Sequence, residues 1–433
     1  MNPARQFRIE NSQLLLERAW KVIPSATQTF SKGSNQWVRG VSPSYLVKGD
    51  GAWVWDADGN KYLDYLMALG PIILGYGNQS VNQAIYDQIK NGTVFSQMHP
   101  LEVELAEKLV EIIPCAEMVR FGKNGSDATT ASIRLARAIT GREHIACCGY
   151  HGWHDWYIGS TTRSAGVPKA VRNLTHTFAY NEIDSLKSLF KDFPQKFAAV
   201  IMEAISVDEP DPGFLEEVKD ITHENGAILI FDEIVNGLRL ALGGAQELIG
   251  VSPDIATFGK AMANGMPLSA VVGKREYMEV FDEIFFSGTF GGETASLAAG
   301  LATVNEIEKK GVINHLWKFG GKLKSGINNL IEQFSLSEAI QLVGYDPYSI
   351  MTFPHDDEKE SRTRRSYFMQ ECHKRGLLYF GIHMPTASHG DLELEFTLKV
   401  LSEVMPMFAS GYQANDFSKR LEGEIIEPIF RKR

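Results

Sequence analysis

Two side chains of complementary chemistry stand near the ends of apolar runs in the middle of the chain. Asp232 follows the apolar run 227–231, and Lys260 stands just beyond the run 255–258. Short runs that are apolar throughout are typical of strands buried on both faces of a parallel sheet. A lysine amine can form a Schiff base with pyridoxal 5′-phosphate (PLP), and a carboxylate can keep its pyridine nitrogen protonated. The pair could therefore serve a pyridine cofactor at the sheet edge where open α/β sheets bind ligands.

The same two residues also have a simpler interpretation. An acid at a strand end can cap a helix, and a lysine in a loop is usually solvated. Because an Asp and a Lys at this separation occur in many chains, the choice between the two interpretations depends on the surrounding sequence.

A second stretch could bind an anion. A β-like run from Met118 leads to Asn124, Gly125 and Ser126, and Asp127 opens a segment of helical periodicity. Small residues at a helix N-terminus leave backbone N–H groups free for an anion, and the helix dipole adds to the attraction. An ordinary N-cap with an acid in the first turn would give the same sequence. The presence of a candidate lysine elsewhere in the chain favours the anion site.

The sequence around these stretches resembles one enzyme family. The string FDEIVNGLR, from Phe231, and the string PDIATFGKAMANGMPLSAVVG, from Pro253, are similar to the cofactor-binding core of the class III (fold type I) PLP-dependent aminotransferases. Within that family the chain looks most like the branch that contains glutamate-1-semialdehyde 2,1-aminomutase, and the resemblance extends from about Pro24 to Leu401. It implies an α/β fold: a mostly parallel seven-stranded sheet flanked by helices, plus a smaller α+β domain formed by both chain ends.

The resemblance also implies roles for the residues that would bind the cofactor. Lys260 would be the catalytic residue and hold PLP as an internal aldimine, while Asp232 would bind the pyridine nitrogen. The backbone at Gly125 and the side chain of Ser126 would bind the phosphate.

Three further residues would complete the cofactor site. Tyr150 would stack on one face of the PLP ring, and Ile234 would pack on the other. Thr289, preceded by Gly288, would reach the phosphate of the neighbouring subunit's PLP. This role implies a homodimer with shared active sites; a loop that simply caps the following helix is the alternative.

The residues expected to face the substrate depart from the family pattern. Residues 29–32 read Thr-Phe-Ser-Lys, so Lys32 stands where the aminomutase has an arginine for a substrate carboxylate, and lysine cannot reproduce the two-pronged pairing. The loop after Glu203 lacks the family's proline at its start. Lys32, His151 and Glu203 are candidate substrate contacts. The alternatives are a solvated lysine, a histidine near the cofactor or in the pocket wall, and a buried structural glutamate.

No metal site is predicted. Gly59 falls at the fourth position of the acidic loop that starts at Asp56, whereas a calcium loop needs glycine at the sixth. His151, His154 and Asp155 could be interpreted as metal ligands, but they belong to a loop without helical register and without a supporting cysteine.

Composition excludes several other classes of protein. The 433-residue chain is 44% hydrophobic and carries a net charge of −10, whereas proteins that bind nucleic acid or anionic membranes present basic surfaces. No apolar run approaches the ~18 to 20 residues of a membrane span, and the N-terminus lacks the apolar core of a signal peptide. Four cysteines without redox or zinc spacing favour reduced thiols in the cytoplasm.

The expected organisation has three regions. Residues 1–65 would pack with the small domain, 66–310 would form the large PLP-binding domain, and 311–433 would form the C-terminal small domain, with a last helix over 389–401. The predicted function is a PLP-dependent aminotransferase that moves an amino group from an amino donor to a carbonyl substrate, in sugar, polysaccharide or secondary metabolism. An aminomutase of the glutamate-1-semialdehyde type is the alternative. A third hypothesis, a non-catalytic protein of the PLP fold, conflicts with the retained Lys260.

Overall fold

The computed structural model describes residues 7–430 and groups the chain into two compact units. The terminal unit comprises the chain up to Leu69, Leu74–Asn78 and Asn314–Ile429. The central unit comprises Gly70–Ile73, Gln79–Ile313 and the residues from Phe430. The terminal unit thus combines segments from both ends of the sequence.

The strands and helices follow one another along the chain with short connections. The strands are β1 Leu46–Asp50, β2 Trp53–Asp56, β3 Lys61–Asp64, β4 Met118–Gly122, β5 His144–Cys148, β6 Thr175–Thr177, β7 Phe197–Met202, β8 Ile228–Asp232, β9 Ile255–Phe258, β10 Ser269–Gly273, β11 Gln341–Tyr345, β12 Tyr348–Thr352, β13 Leu377–Leu378 and β14 Ile382–His383. The helices are α1 Glu10–Val22, α2 Gln79–Ile89, α3 Pro100–Ile112, α4 Gly125–Thr140, α5 Asp155–Ile158, α6 Lys169–Arg172, α7 Ile183–Asp192, α8 Phe214–Glu224, α9 Ala245–Ile249, α10 Arg275–Met278, α11 Thr294–Lys309, α12 Val312–Gln333, α13 Glu358–His373, α14 Asp391–Ala414 and α15 Phe417–Arg420.

The central unit is built on one seven-stranded sheet with the order β4-β10-β9-β8-β7-β5-β6. Strand β10 runs antiparallel to both of its neighbours, and the pairs from β9 to β6 are parallel. The mostly parallel seven-stranded sheet of fold type I is therefore confirmed.

Burial explains why the central strands read as continuous apolar runs. Every residue of β7 and β8 is buried, because α4 and other helices cover the sheet faces. Ile133 and Leu135 of α4 pack in one core cluster with Ile145, Ile201 and Ile230 from three of the strands. This rigid core fixes the positions of the strand ends.

The terminal unit contains two smaller sheets, ordered β1-β2-β3-β13 and β11-β12-β14. A hairpin turns at Asp58–Gly59, where β2 and β3 are antiparallel and Gly59 has a φ of 81°. Strand β13 pairs in parallel with β3, which joins the C-terminal part of the chain to its N-terminal part. Within residues 7–430, no helix has the length and apolar character needed to cross a membrane.

Candidate active site

The candidate site lies where the parallel strands of the central unit end. Asp232 is the last residue of β8 and only 3% exposed. Lys260 follows β9 and opens a short 3-10 turn with a φ of 38°. A non-glycine residue at positive φ is strained, and such strain is often found at functional sites. Because β8 and β9 are neighbours, Asp232 and Lys260 lie at the same edge of the sheet, as the sequence predicts.

Burial changes the acid–base behaviour of Lys260. Removal from water lowers the pKa of the amine, the nearby charges of Glu203 and Asp232 partly offset this effect, and Arg239 reinforces it. A lysine with a lowered pKa more readily supplies the neutral amine that acts as a nucleophile.

Three groups contact the carboxylate of Asp232. Its Oδ1 accepts hydrogen bonds from the backbone N–H of Ile234 at 3.1 Å and from Thr257 Oγ1 at 3.3 Å. Its Oδ2 lies 2.8 Å from His151 Nδ1. These contacts fix the orientation of Asp232 before any ligand binds.

His151 is buried beside Asp232. The sequence left open whether this histidine contacts the substrate or lies near the cofactor or in the pocket wall. The side chain is 2% exposed, and its Nε2 lies 3.1 Å from the carbonyl oxygen of Cys148. Both ring nitrogens therefore lie within hydrogen-bond distance of an oxygen atom. The two nitrogens contact Asp232 and Cys148, and a contact of His151 with the substrate stays a prediction.

Glu203 follows β7 and lies next to the lysine. Its Oε1 accepts a hydrogen bond of 3.2 Å from the backbone N–H of Tyr150. Burial and the charge of Asp232 raise the pKa of Glu203, whereas His151, the Tyr150 N–H and Lys260 act in the opposite direction. The structure thus brings Glu203 together with Lys260 and Asp232; its contact with a substrate stays a prediction.

Tyr150 and Ile234, predicted to contact the two faces of the PLP ring, both lie close to these polar groups. The backbone N–H of Tyr150 bonds to Glu203, and that of Ile234 bonds to Asp232. Tyr150 remains 53% exposed, with its ring against Tyr157 and Phe430, so part of the ring is available to a flat ligand. Ile234 packs against the backbone at Gly125: a Cβ added there would lie 2.7 Å from Ile234 Cδ1. Only glycine fits at this position without a shift.

The N-terminus of α4 is the predicted anion-binding end of the site. The carboxylate of Asp127 accepts the backbone N–H groups of Lys123 and Asn124 at 3.2 and 2.8 Å. The N–H groups of Gly125 and Ser126 follow and have no partner within the helix. Ser126 Oγ accepts a bond of 3.2 Å from the N–H of Trp153, which leaves its hydroxyl hydrogen for an anion.

Thr289 and Lys32 are both exposed. Thr289 is in an exposed loop before α11, and a 3.0 Å ion pair between Lys123 and Glu293 ties this loop to the turn before α4. Lys32 is an exposed residue of the terminal unit, where its charge acts on Asp64.

Sequence reasoning missed two contributors to the site, Thr257 and the carbonyl group of Cys148. Thr257 pairs with Asp232 across β8 and β9, a relation that becomes visible only when the strand order is known. Within residues 7–430, no three His, Cys, Asp or Glu side chains are arranged to hold a metal ion.

Comparison with protein families identifies this arrangement. The model of the family "Aminotransferase class-III" matches residues 36–389. Over 418 residues, the chain is 36% identical to a 3-aminobutyryl-CoA aminotransferase of Cloacimonas acidaminovorans, covering 92% of this chain and 98% of that protein. It is 38% identical over 357 residues to a glutamate-1-semialdehyde 2,1-aminomutase of Methanothrix thermoacetophila, covering 78% and 81% of the two chains.

Solved structures agree with the family match. The PLP internal aldimine form of the FumI protein from Sphingopyxis sp. MTA144 has a TM-score of 0.87 at 27% identity, covering 94% of this chain and 98% of its own. An omega-transaminase from Sphaerobacter thermophilus has a TM-score of 0.84 at 26% identity, covering 92% and 98%. The chain therefore belongs to the class III aminotransferases, the PLP-dependent enzymes of fold type I that transfer an amino group from a donor to a carbonyl substrate.

Proposed function

We propose that the carbonyl substrate is a 3-oxoacyl compound and that the donor is a separate amine, so that nitrogen passes between two molecules. The similarity to a 3-aminobutyryl-CoA aminotransferase over 92% of this chain supports this substrate class. The pathway, expected from the sequence to belong to sugar, polysaccharide or secondary metabolism, stays a prediction.

The residues of the central unit fit PLP. Lys260 would hold the cofactor, Asp232 would bind its ring nitrogen, and Ser126 with the N–H groups at Gly125 would bind its phosphate. The buried carboxylate and the open helix N-terminus match the two polar ends of this ligand. When bound, PLP supplies a ring that accepts electrons from the substrate carbon.

The protein contributes charge and proton transfer around that ring. Asp232 keeps a proton on the pyridine nitrogen, and His151, 2.8 Å away, holds the carboxylate in place. The buried amine of Lys260, with its lowered pKa, can take a proton from one carbon and return it to another. Glu203 and Tyr150 border the space in which this transfer occurs.

An absorbance titration of the purified holoenzyme tests the proposed donor reaction. With 3-aminobutanoate and L-glutamate, we expect the cofactor spectrum to change to that of the aminated form, and a 3-oxo acid to reverse the change. A spectrum that responds to no separate donor or acceptor would contradict intermolecular transfer.

An aminomutase is the second candidate function, because the chain is also 38% identical to a glutamate-1-semialdehyde 2,1-aminomutase. The two functions differ in the fate of the nitrogen atom. Incubation with a ¹⁵N-labelled donor and an unlabelled acceptor gives labelled product only if the transfer is intermolecular. Isomerisation of one substrate without exchange of label would establish the aminomutase.

The close packing of Gly125 against Ile234 leads to a prediction about cofactor affinity. Gly125→Ala places a methyl group 2.7 Å from Ile234 Cδ1, so either the end of the Ile234 side chain or the helix N-terminus must shift, at a cost of up to about 1–3 kcal/mol. We expect the Kd for PLP, measured by fluorescence titration, to rise about 5- to 100-fold. Ile234→Val removes the clashing atom, so the double variant should recover most of the affinity. Equal Kd values for wild type and Gly125→Ala would contradict the phosphate assignment.

We further propose a homodimer, with the surface near Thr289 as the interface. Met98, Phe285 and Phe290 are 80%, 79% and 60% exposed, and large exposed apolar side chains mark interaction sites. Met98 and the Gly288 backbone border the same cavity of about 880 Å³ next to β4. An interface here would bring Thr289 to the partner's active site, as the family resemblance implies.

Mixing two inactive variants tests whether the active sites are shared. Lys260→Ala and Thr289→Ala should each lose activity as homodimers. After co-refolding in equal amounts, half of the dimers are mixed and each has one intact site, so we expect about a quarter of wild-type activity. If Thr289 serves its own subunit, mixing restores nothing, and an active Thr289→Ala homodimer would show that Thr289 has no role.

The cytoplasm remains the proposed compartment. All four cysteines are free thiols, and three of them are buried, which is consistent with a reducing environment.

A further inference from the structure

Buried polar atoms without a hydrogen-bond partner concentrate at one place in the terminal unit. Nine such side-chain atoms occur within residues 7–430, and three of them belong to Arg365, Tyr379 and His383. Arg365 is on α13, and the other two lie between the start of β13 and the end of β14. A buried polar group without a partner is costly, so a cluster of three indicates a missing partner.

Arg365 is a cation without an acidic partner. Arg362 and Arg364 on the same helix lie 3.9 and 3.3 Å from Glu358 and Glu360. In the part of the chain that the structure describes, Arg365 has no carboxylate within ion-pair distance, and its Nη2 donates to the carbonyl oxygen of Phe380. Burial lowers the pKa of Arg365, and the interaction with Tyr379 acts in the opposite direction.

The donors of Arg365 that remain face an aromatic and glycine-lined surface. Its guanidinium lies 4.9 Å from the ring centre of Phe380. Gly381 has a φ of 87°, and a Cβ added there would lie 3.5 Å from Arg365 Nε. Arg365 Nε is itself buried and has no hydrogen-bond partner among the described residues.

Tyr379 and His383 add neutral polar groups beside the arginine. Tyr379 is 2% exposed, its hydroxyl has no partner, and its ring centre lies 5.6 Å from that of His383. His383 Nδ1 lies 3.2 Å from Ser349 Oγ, and its Nε2 is unpartnered. Burial lowers the pKa of His383 to about 4, so this imidazole is neutral and does not add a second cation.

We propose that Arg365 and Tyr379 form a subsite for a small oxyanion of carboxylate size, with His383 at its border. A partly buried guanidinium requires negative charge, and its planar N–H donors match a carboxylate or phosphate group. The tyrosine hydroxyl supplies a further donor. Acetate and inorganic phosphate in solution both carry this chemistry.

Thermal unfolding in different anions tests the subsite without any catalysis. At constant ionic strength, acetate or inorganic phosphate should raise the Tm of the wild-type holoenzyme relative to chloride. The shift should disappear in Arg365→Met and decrease in Tyr379→Phe, which removes only the hydroxyl. Arg362→Met, on the same helix, should retain the full shift. Equal shifts in all four proteins, or none in wild type, would overturn the proposal.

The unfolding experiment does not depend on catalysis. An enzyme without any donor reaction would contradict the proposed function, and the unfolding experiment would still decide the subsite.

Discussion

Replacing Lys260 with alanine is expected to abolish the visible absorbance of the covalently bound cofactor and to reduce transamination by at least about 10⁴-fold. The substitution removes the nucleophilic amine and the group that moves the proton, whereas the rest of the site stays in place. Alanine meets the same positive φ of 38° as lysine does, so the substitution adds no backbone strain. The measurement is the absorbance spectrum after incubation with PLP and removal of free cofactor.

Reduction with borohydride identifies the lysine directly. In wild type, peptide mass analysis should find the reduced cofactor on Lys260. Lys274→Ala is a matched control in the central unit, because Lys274 forms an ion pair of 2.8 Å with Asp254 and is 41% exposed. This variant should be labelled as wild type is. Label on another lysine, or a persistent absorbance band in Lys260→Ala, would show that Lys260 is not the attachment site.

The strand-end residues could be predicted because their signals are local. A buried parallel strand is an apolar run, so the sequence indicates where β8 and β9 end and which side chains follow. The contact between His151 and Asp232 joins residues 81 positions apart, and no local pattern indicates which of the alternatives for His151 applies. Tertiary packing decides such contacts, so the family resemblance provided the remaining assignments.

The terminal unit contains elements that the periodicity of apolar residues in the sequence does not predict. The last helix was expected over 389–401, but α14 extends from Asp391 to Ala414 with Pro406 inside it. Proline disfavours a helix interior, yet Val404, Met405 and Phe408 are buried around it, and their packing maintains the helix. Strand β13 has two residues, too few for any pattern, and exists because it pairs with β3. The cluster of Arg365, Tyr379 and His383 cannot be predicted from the sequence either. It is recognised only because these side chains have buried polar atoms without a hydrogen-bond partner in the folded chain.

Replacing Asp232 with asparagine is expected to separate cofactor attachment from catalysis. Asparagine retains the shape of the side chain and can accept a hydrogen bond from His151, but it loses the charge that keeps the pyridine nitrogen protonated. Lys260 is unchanged, so the cofactor should still be attached and the absorbance band retained. We expect the rate of the donor half-reaction, measured by stopped-flow absorbance, to fall about 10²–10³-fold, the range for loss of a preorganised electrostatic contact.

Two neighbouring substitutions show whether charge or position matters at Asp232. Thr257→Val removes a 3.3 Å hydrogen bond to Oδ1 but preserves the charge, so we expect the half-reaction rate to fall less than about ten-fold. His151→Asn removes the 2.8 Å contact to Oδ2 and should give an intermediate loss, because the carboxylate keeps its charge but loses its support. If Asp232→Asn reacts as fast as Thr257→Val, Asp232 acts only as a structural acid at the strand end. The order Thr257→Val, His151→Asn, Asp232→Asn in increasing effect is the result that assigns the catalytic contribution to the charge of Asp232 and a positioning role to His151.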